Sequence, residues 1–378
     1  MSRLTAGALL ATATVAVLAS PARAQPVIRV RHGVLTVVGT NRSDTIVVTT
    51  HLRRVTVQVN TKRFVIRPPL KKIRMDGRAG DDDVRLLPDG GTTLPAVVSG
   101  GAGNDVLVGY IADRLQLPRP STSSRATSGR TSSGASVLLD GGDGDDRLVG
   151  ADRMLGGTGN DFLEGSQVPL FDAYQLDFDA GPGDDLVLGA EHTTGDLGDG
   201  NDTYFGWRSD ARYWVPGGAD TSSAIRGGAG NDTISGADGS MTFDAGAGED
   251  QVNGGWGPTM GTLGDGDDRY VGSYGQSSVQ GGAGNDLLRS RLKDALFEGD
   301  AGADVFVADR SYDGFYGPTV GAETVTDFGT DADIVYFGDG LSVHSGTGTA
   351  TVTVWDGTDD VGTITAANGH LWSAADFG

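Results

Sequence analysis

One string recurs almost unchanged along this chain of 378 residues: Gly100-Gly-Ala-Gly-Asn-Asp105 returns as Gly227 to Asp232 and as Gly281 to Asp286. A unit so short cannot bury an apolar side chain by itself, so its copies must stack and share a core. Gly141 to Asp146 and Gly156 to Asp161 keep the pattern Gly-Gly-x-Gly-x-Asp in full. Ala180 to Asp185, Leu197 to Asp202, Ala245 to Asp250, Leu263 to Asp268 and Gly299 to Asp304 relax one or two positions, and Gly77 to Asp82 is the earliest recognisable copy. Two residues after the aspartate, all eleven copies carry an apolar residue: Val84, Leu107, Leu148, Leu163, Val187, Tyr204, Ile234, Val252, Tyr270, Leu288 and Phe306. The unit reads as a tight turn followed by a short strand with one inward side chain.

Spacing adds a second layer. Asp232, Asp250, Asp268, Asp286 and Asp304 follow one another at a constant interval of two nonapeptides, which predicts one helical turn of a solenoid per pair of nonapeptides. The intervening stretches, such as Gly254 to Thr262 and Gly272 to Gln280, keep some glycines and lose the aspartate. From residue 227 onward one edge of the solenoid is therefore expected to bind metal and the opposite edge not. Earlier copies recur at unequal intervals, so the first half must carry loops or skipped turns. The widest gap, between Asp105 and Asp146, contains Pro118 to Ser136, rich in Ser, Thr and Arg, which reads as an exposed disordered insertion spanning about residues 111–136.

Charge and composition narrow the chemistry. The formal net charge is −21, yet residues 25–75 hold eleven Lys or Arg and only Asp44 as an acid. Residues 76–378 consequently carry −33, which excludes nucleic acid as a partner of that part and calls for cations. There is no cysteine, so neither disulfides nor thiolate metal sites are available. Met1 to Ala24 has the form of a secretory signal: Arg3, an apolar stretch from Leu4 to Ala19, then Ala22-Arg23-Ala24 before a cut at Gln25. No later segment is apolar enough to span a membrane. The chain is expected to be secreted, extracellular or cell-surface.

Within each nonapeptide the glycines can take left-handed dihedrals that leave backbone carbonyls facing into the turn, beside a carboxylate at the sixth position. Stacking two such turns about 4.8 Å apart makes a pocket of oxygens. An all-oxygen pocket suits a hard cation, and its many ligands and flexible geometry favour calcium over magnesium. A metal-free β-helix with Gly-Asp turns is the competing reading.

From residue 77 to about 307 the sequence resembles the RTX family of hemolysin-type calcium-binding repeats, whose unit is Gly-Gly-x-Gly-x-Asp-x-apolar-x. The resemblance implies a parallel β-roll, an all-β solenoid of nonapeptides, with several calcium ions held between turns two nonapeptides apart. It implies Asp82, Asp105, Asp146, Asp161, Asp185, Asp202, Asp232, Asp250, Asp268, Asp286 and Asp304 as the calcium ligands. The expected organisation is a signal peptide at 1–24, a basic N-terminal β cap at 25–75, the calcium-binding β-roll at 76–320 and a C-terminal β cap at 321–378. Thr40 to Ile46 reads as a decayed turn of the repeat, and Thr349 to Trp355 with Val361 to Ile364 as a final hairpin.

No zinc helix, nucleophile elbow or phosphate loop is present, the five histidines are scattered, and no catalytic residue is assigned. The leading functional expectation is a calcium-folded structural or surface-associated protein. A module binding extracellular polysaccharide or polyanion is the alternative, motivated by Arg53, Arg54, Lys62, Arg63, Lys71 and Lys72 and by the aromatics Trp207, Trp214 and Trp256. A polysaccharide-acting enzyme on a β-helix is the third and least favoured class.

Overall fold

The computed structural model describes residues 25–51, 54–67, 69–89, 94–109, 137–165, 175–206, 222–291, 294–308, 321–328, 333–337, 341–345, 350–356, 359–373 and 376–377. The expected signal peptide, the insertion at 111–136, Arg53, Trp207 and Trp214 lie outside them. Among the described residues there is no α-helix, and so none long and apolar enough to cross a membrane.

The described residues are all-β, with 32 strands in two sheets of 17 and 15. One coil shows the unit. Ser222–Ala229 runs along the first sheet, the Gly-Asp turn crosses over, Thr233–Ser235 runs along the second, and residues 236–239 return to Ser240–Ala247. Successive coils lie parallel and in register, Ile225 against Phe243 and Ile234 against Val252. This is the solenoid of nonapeptides that the repeat calls for.

Strand periodicity places the core between the sheets. In Ser240–Ala247 exposed and buried residues alternate, so Met241, Phe243 and Ala245 point inward. From the opposite sheet all eleven apolar residues at the second position after the aspartate are buried, among them Leu107, Ile234 and Leu288 at 0% exposure. Two of them are tyrosines, and each finds a hydroxyl partner inside: Tyr204 pairs with Ser223 at 2.9 Å and Tyr270 with Ser277 at 2.8 Å.

The irregular spacing of the first half has a simple resolution. No turn is skipped: Val137–Asp143 pairs directly with Ala96–Ala102, across the widest gap in the series of aspartates. The added residues fall between a strand of the second sheet and the next strand of the first, after Asp83–Asp89, after Val106–Gly109, after Phe162–Glu164, after Thr203–Phe205 and after Val305–Ala308. In all five cases the described strands end and resume on the edge opposite the Gly-Asp turns, which leaves the aspartate edge uninterrupted.

Both ends switch to antiparallel pairing. Val27–Arg31 pairs with Val34–Val38, and Thr45–His51, Arg54–Val59 and Lys62–Ile66 form a meander. At the other end Leu341–Ser345, Thr351–Asp356 and Asp359–Ala366 form a second meander joined to Gly321–Val325. Phe328 and Trp372, with centroids 4.5 Å apart and both 1% exposed, cover the last core layer behind Phe306.

Candidate metal centre: a ladder of buried aspartates

Each Gly-Asp turn rests on two glycines in a conformation that side chains disfavour. Gly228 and Gly230 have φ of 119° and 130°, and a Cβ on either would strike the carbonyl of Gly198 or Gly200 in the preceding coil. Non-glycine residues take the first of these positions only at the two ends of the series, Arg78 with φ 90° and Asp300 with φ 65°. Stacked this closely, the turns bring their aspartates into one line.

The line is continuous. The backbone N–H of Asp232 donates to Oδ1 of Asp250 at 2.7 Å, Asp250 to Asp268 at 2.7 Å, Asp268 to Asp286 at 2.9 Å and Asp286 to Asp304 at 2.9 Å. The same bond links Asp82 to Asp105, Asp105 to Asp146, Asp146 to Asp161, Asp161 to Asp185, Asp185 to Asp202 and Asp202 to Asp232. All eleven aspartates singled out in the sequence therefore stand on a single ladder, each at most 3% exposed.

Only one oxygen of each carboxylate is used in this way. Oδ2 of Asp82, Asp105, Asp146, Asp161, Asp185, Asp202, Asp232, Asp250, Asp268 and Asp286 is buried and has no hydrogen-bond partner. In the copies that begin with glycine it faces that glycine. A Cβ added at Gly100, Gly141 or Gly281 would collide with the Oδ2 of Asp105, Asp146 or Asp286 and with a carbonyl oxygen of the next coil. A row of buried, orphaned anionic oxygens, with main-chain carbonyls beside them, is a donor set for a hard cation, and the residues fit calcium.

Burial dominates the electrostatics. It pushes Asp82, Asp146, Asp232 and Asp286 up to about 7 and Asp185 to about 8. Asp105, Asp161, Asp202 and Asp268 rise to about 6 for the same reason. The N–H bond from the neighbouring coil opposes the rise, and nearby carboxylates add to it.

The ladder is longer than the repeat pattern. Asp44 in the decayed turn is its first rung, donating its N–H to Asp82 at 2.6 Å, and Asp333 is its last, accepting from Asp304 at 3.1 Å. Asp44 differs from the others because protein groups satisfy both of its oxygens. Thr40 supplies its N–H and hydroxyl to Oδ2 at 2.5 and 2.8 Å, and Asn60 Nδ2 donates to Oδ1 at 2.6 Å. The first rung is built without need of a cation.

A second, exposed ladder runs beside the first and went unread in the sequence. Side-chain oxygens at the fifth position accept the N–H of the fifth residue in the next coil: Asp81 from Asn104, Asn104 from Asp145, Asp145 from Asn160, Asn160 from Asp184 and Asp184 from Asn201, all within 3.1 Å. The signal was there, since ten of the eleven copies carry Asp, Asn or Glu at that position. The structure also gathers Glu298, Asp300 and Asp327, but Asp327 accepts the N–H groups of Gly299 and Asp300 and serves as a turn cap.

Three outcomes follow from this geometry. Asp250→Asn keeps an acceptor for the N–H of Asp232 and should lower calcium uptake with little loss of calcium-loaded stability; Asp250→Ala should lose about 1–3 kcal/mol more by orphaning that N–H. Equilibrium calcium binding and urea unfolding of the two variants check this, and equal behaviour would contradict the division of labour between the oxygens. Asn60→Ala should cost about 1–3 kcal/mol at every calcium concentration, read by the same unfolding curves. For pH, carboxylates whose folded values lie above the unfolded one favour the metal-free fold most at low pH, and that favour is lost as pH rises through about 6 to 8. Far-ultraviolet circular dichroism in chelator should therefore show more β structure near pH 4 than near pH 8, and calcium affinity should fall on acidification through the same range.

Comparison with known families agrees with the ladder. The family model described as the RTX calcium-binding nonapeptide repeat (4 copies) matches residues 97–113, 149–167, 218–251, 226–258 and 262–291. No curated protein matches the chain. Over these residues the chain carries RTX calcium-binding nonapeptide repeats, on turns that stack in register in a parallel β-roll.

Proposed function

We propose that this is an exported protein whose β-roll folds and stiffens when it meets extracellular calcium, and that it serves a structural or cell-surface role rather than a catalytic one. The observation that carries the reading is the row of ten buried aspartate oxygens without protein partners. Ten buried carboxylates facing no counter-charge oppose the compact state as they ionise, and a cation between coils removes that opposition. Calcium supplies this neutralisation when bound. The residues that would hold it are Asp82, Asp105, Asp146, Asp161, Asp185, Asp202, Asp232, Asp250, Asp268, Asp286 and Asp304, with main-chain carbonyls of the adjoining turns.

Export is supported by the leader-like Met1 to Ala24, and since the chain has no cysteine, bound metal is the available staple outside the cell. Stiffening follows from topology. Every rung shares its aspartate bond with the next coil, so ordering one turn templates its neighbour, and a cation between two turns reports on both.

The test is a calcium titration of chelator-stripped protein followed by far-ultraviolet circular dichroism, with magnesium as control. A cooperative gain of β signal with calcium alone is expected. An apo protein already fully folded and indifferent to calcium would show that the ladder is purely structural.

A further inference from the structure

The outer face of the first sheet carries a feature that calcium binding does not explain. Between two rows of outward side chains lies a cleft of about 580 Å³, lined by residues from Arg153 to Asp244. A second cleft of about 480 Å³ shares Thr242 and Phe243 with it and continues toward Thr326. Together they form a trench parallel to the axis of the roll.

Its two walls differ. One is low, because Thr194 and Ala224 are short, and the other is the row Asp179, Asp196, Arg226 and Asp244. Strand register sets that row: Asp179 pairs with Asp196, Asp196 with Arg226 and Arg226 with Asp244, one group per coil at about 4.8 Å. The floor is closed by the buried rings of Phe178 and Phe243, and Gly195 leaves the space into which the Phe178 ring leans.

These four groups form no hydrogen bond or ion pair with any described residue, although Arg226 stands between two carboxylates. Other polar groups along the trench are spent on each other, Arg153 with Asp177 at 3.5 Å and Gln280 with Glu298 at 2.9 Å. The sequence acceptor, acceptor, donor, acceptor therefore points into the trench unused. Carboxylates only accept and guanidinium only donates, so a polycation would satisfy the aspartates and repel Arg226, and a polyanion would do the reverse. Hydroxyl groups donate and accept alike, and a chain of them meets every rung.

We propose that this trench is a binding site for a linear, neutral, polyhydroxylated polymer, a neutral glycan strand lying along the roll axis, with Asp179, Asp196, Arg226 and Asp244 as its hydrogen-bonding wall. The site is separate from the basic N-terminal strands and from Trp256, which stacks on Tyr274 at 4.2 Å.

Isothermal titration of the calcium-loaded full chain with a linear β-glucan hexasaccharide and a linear α-glucan hexasaccharide tests it. At least one should bind saturably. Arg226→Met and Asp196→Ala should each weaken that binding about tenfold or more, as expected for loss of a charge-assisted hydrogen bond. Trp256→Ala should leave it unchanged, and all three variants should keep the calcium-dependent circular dichroism of the parent, which separates this site from the ladder. Absence of saturable binding to either glucan, binding indifferent to the Arg226 and Asp196 substitutions, or saturable binding of oligolysine or an oligouronate in its place would overturn the proposal.

Discussion

The bond on which the structure depends is the one from the backbone N–H of one ladder aspartate to Oδ1 of the aspartate in the next coil. It fixes the register of the turn edge, because a one-residue slip would point the carboxylate away from the N–H it must satisfy and would turn the apolar residue two positions later outward. It also decides how the carboxylate is divided. With Oδ1 committed to protein, Oδ2 is left buried inside the turn, and the fold creates its own demand for a cation. Under the proposed function the structural bond and the metal ligand would be two ends of the same carboxylate, so a metal-free β-helix and a calcium roll would share one geometry.

The first rung shows what the demand looks like once removed. Asp44 sits on the ladder like the rest, but Thr40 and Asn60 fill the places that elsewhere lie open. The turn around it keeps Gly39 and has lost the two positive-φ glycines, and the strands beside it pair antiparallel on their outer side. A solenoid must end somewhere without leaving half a site exposed, and a rung satisfied by protein donors does so. The other end uses apolar closure, with Trp372 and Phe328 over Phe306.

Much of this was legible in the amino-acid sequence, and for physical reasons. Residues that must meet an equivalent neighbour in the next coil are held to a pattern, which exposed the sixth-position aspartates and the apolar residues two positions later. The exposed ladder at the fifth position obeys the same logic but tolerates Asp, Asn and even Glu249, so it reads as variation unless the acceptor oxygen they share is noticed. Asp44 was recognised as part of a decayed turn and not as a rung, since Thr40 and Asn60 close it from positions that no repeat marks. The trench could not be read at all. Asp196 and Arg226 are well separated along the chain, and they become neighbours only because the added residues leave from the far edge of the roll.

That placement has a consequence for how such a chain can vary. On the turn edge each coil touches both neighbours through main-chain carbonyls and aspartates, and an extra residue there would break two rungs. On the far edge coils share backbone bonds but no aspartate ladder, so length added there costs mainly loop entropy, which grows slowly with size. The five lengthened intervals all open from the cheap side. The result is a ladder unbroken from Asp44 to Asp333, in a sequence whose aspartates recur as closely as Asp146 and Asp161 and as widely as Asp105 and Asp146. Regularity is enforced where the oxygens must align, and nowhere else.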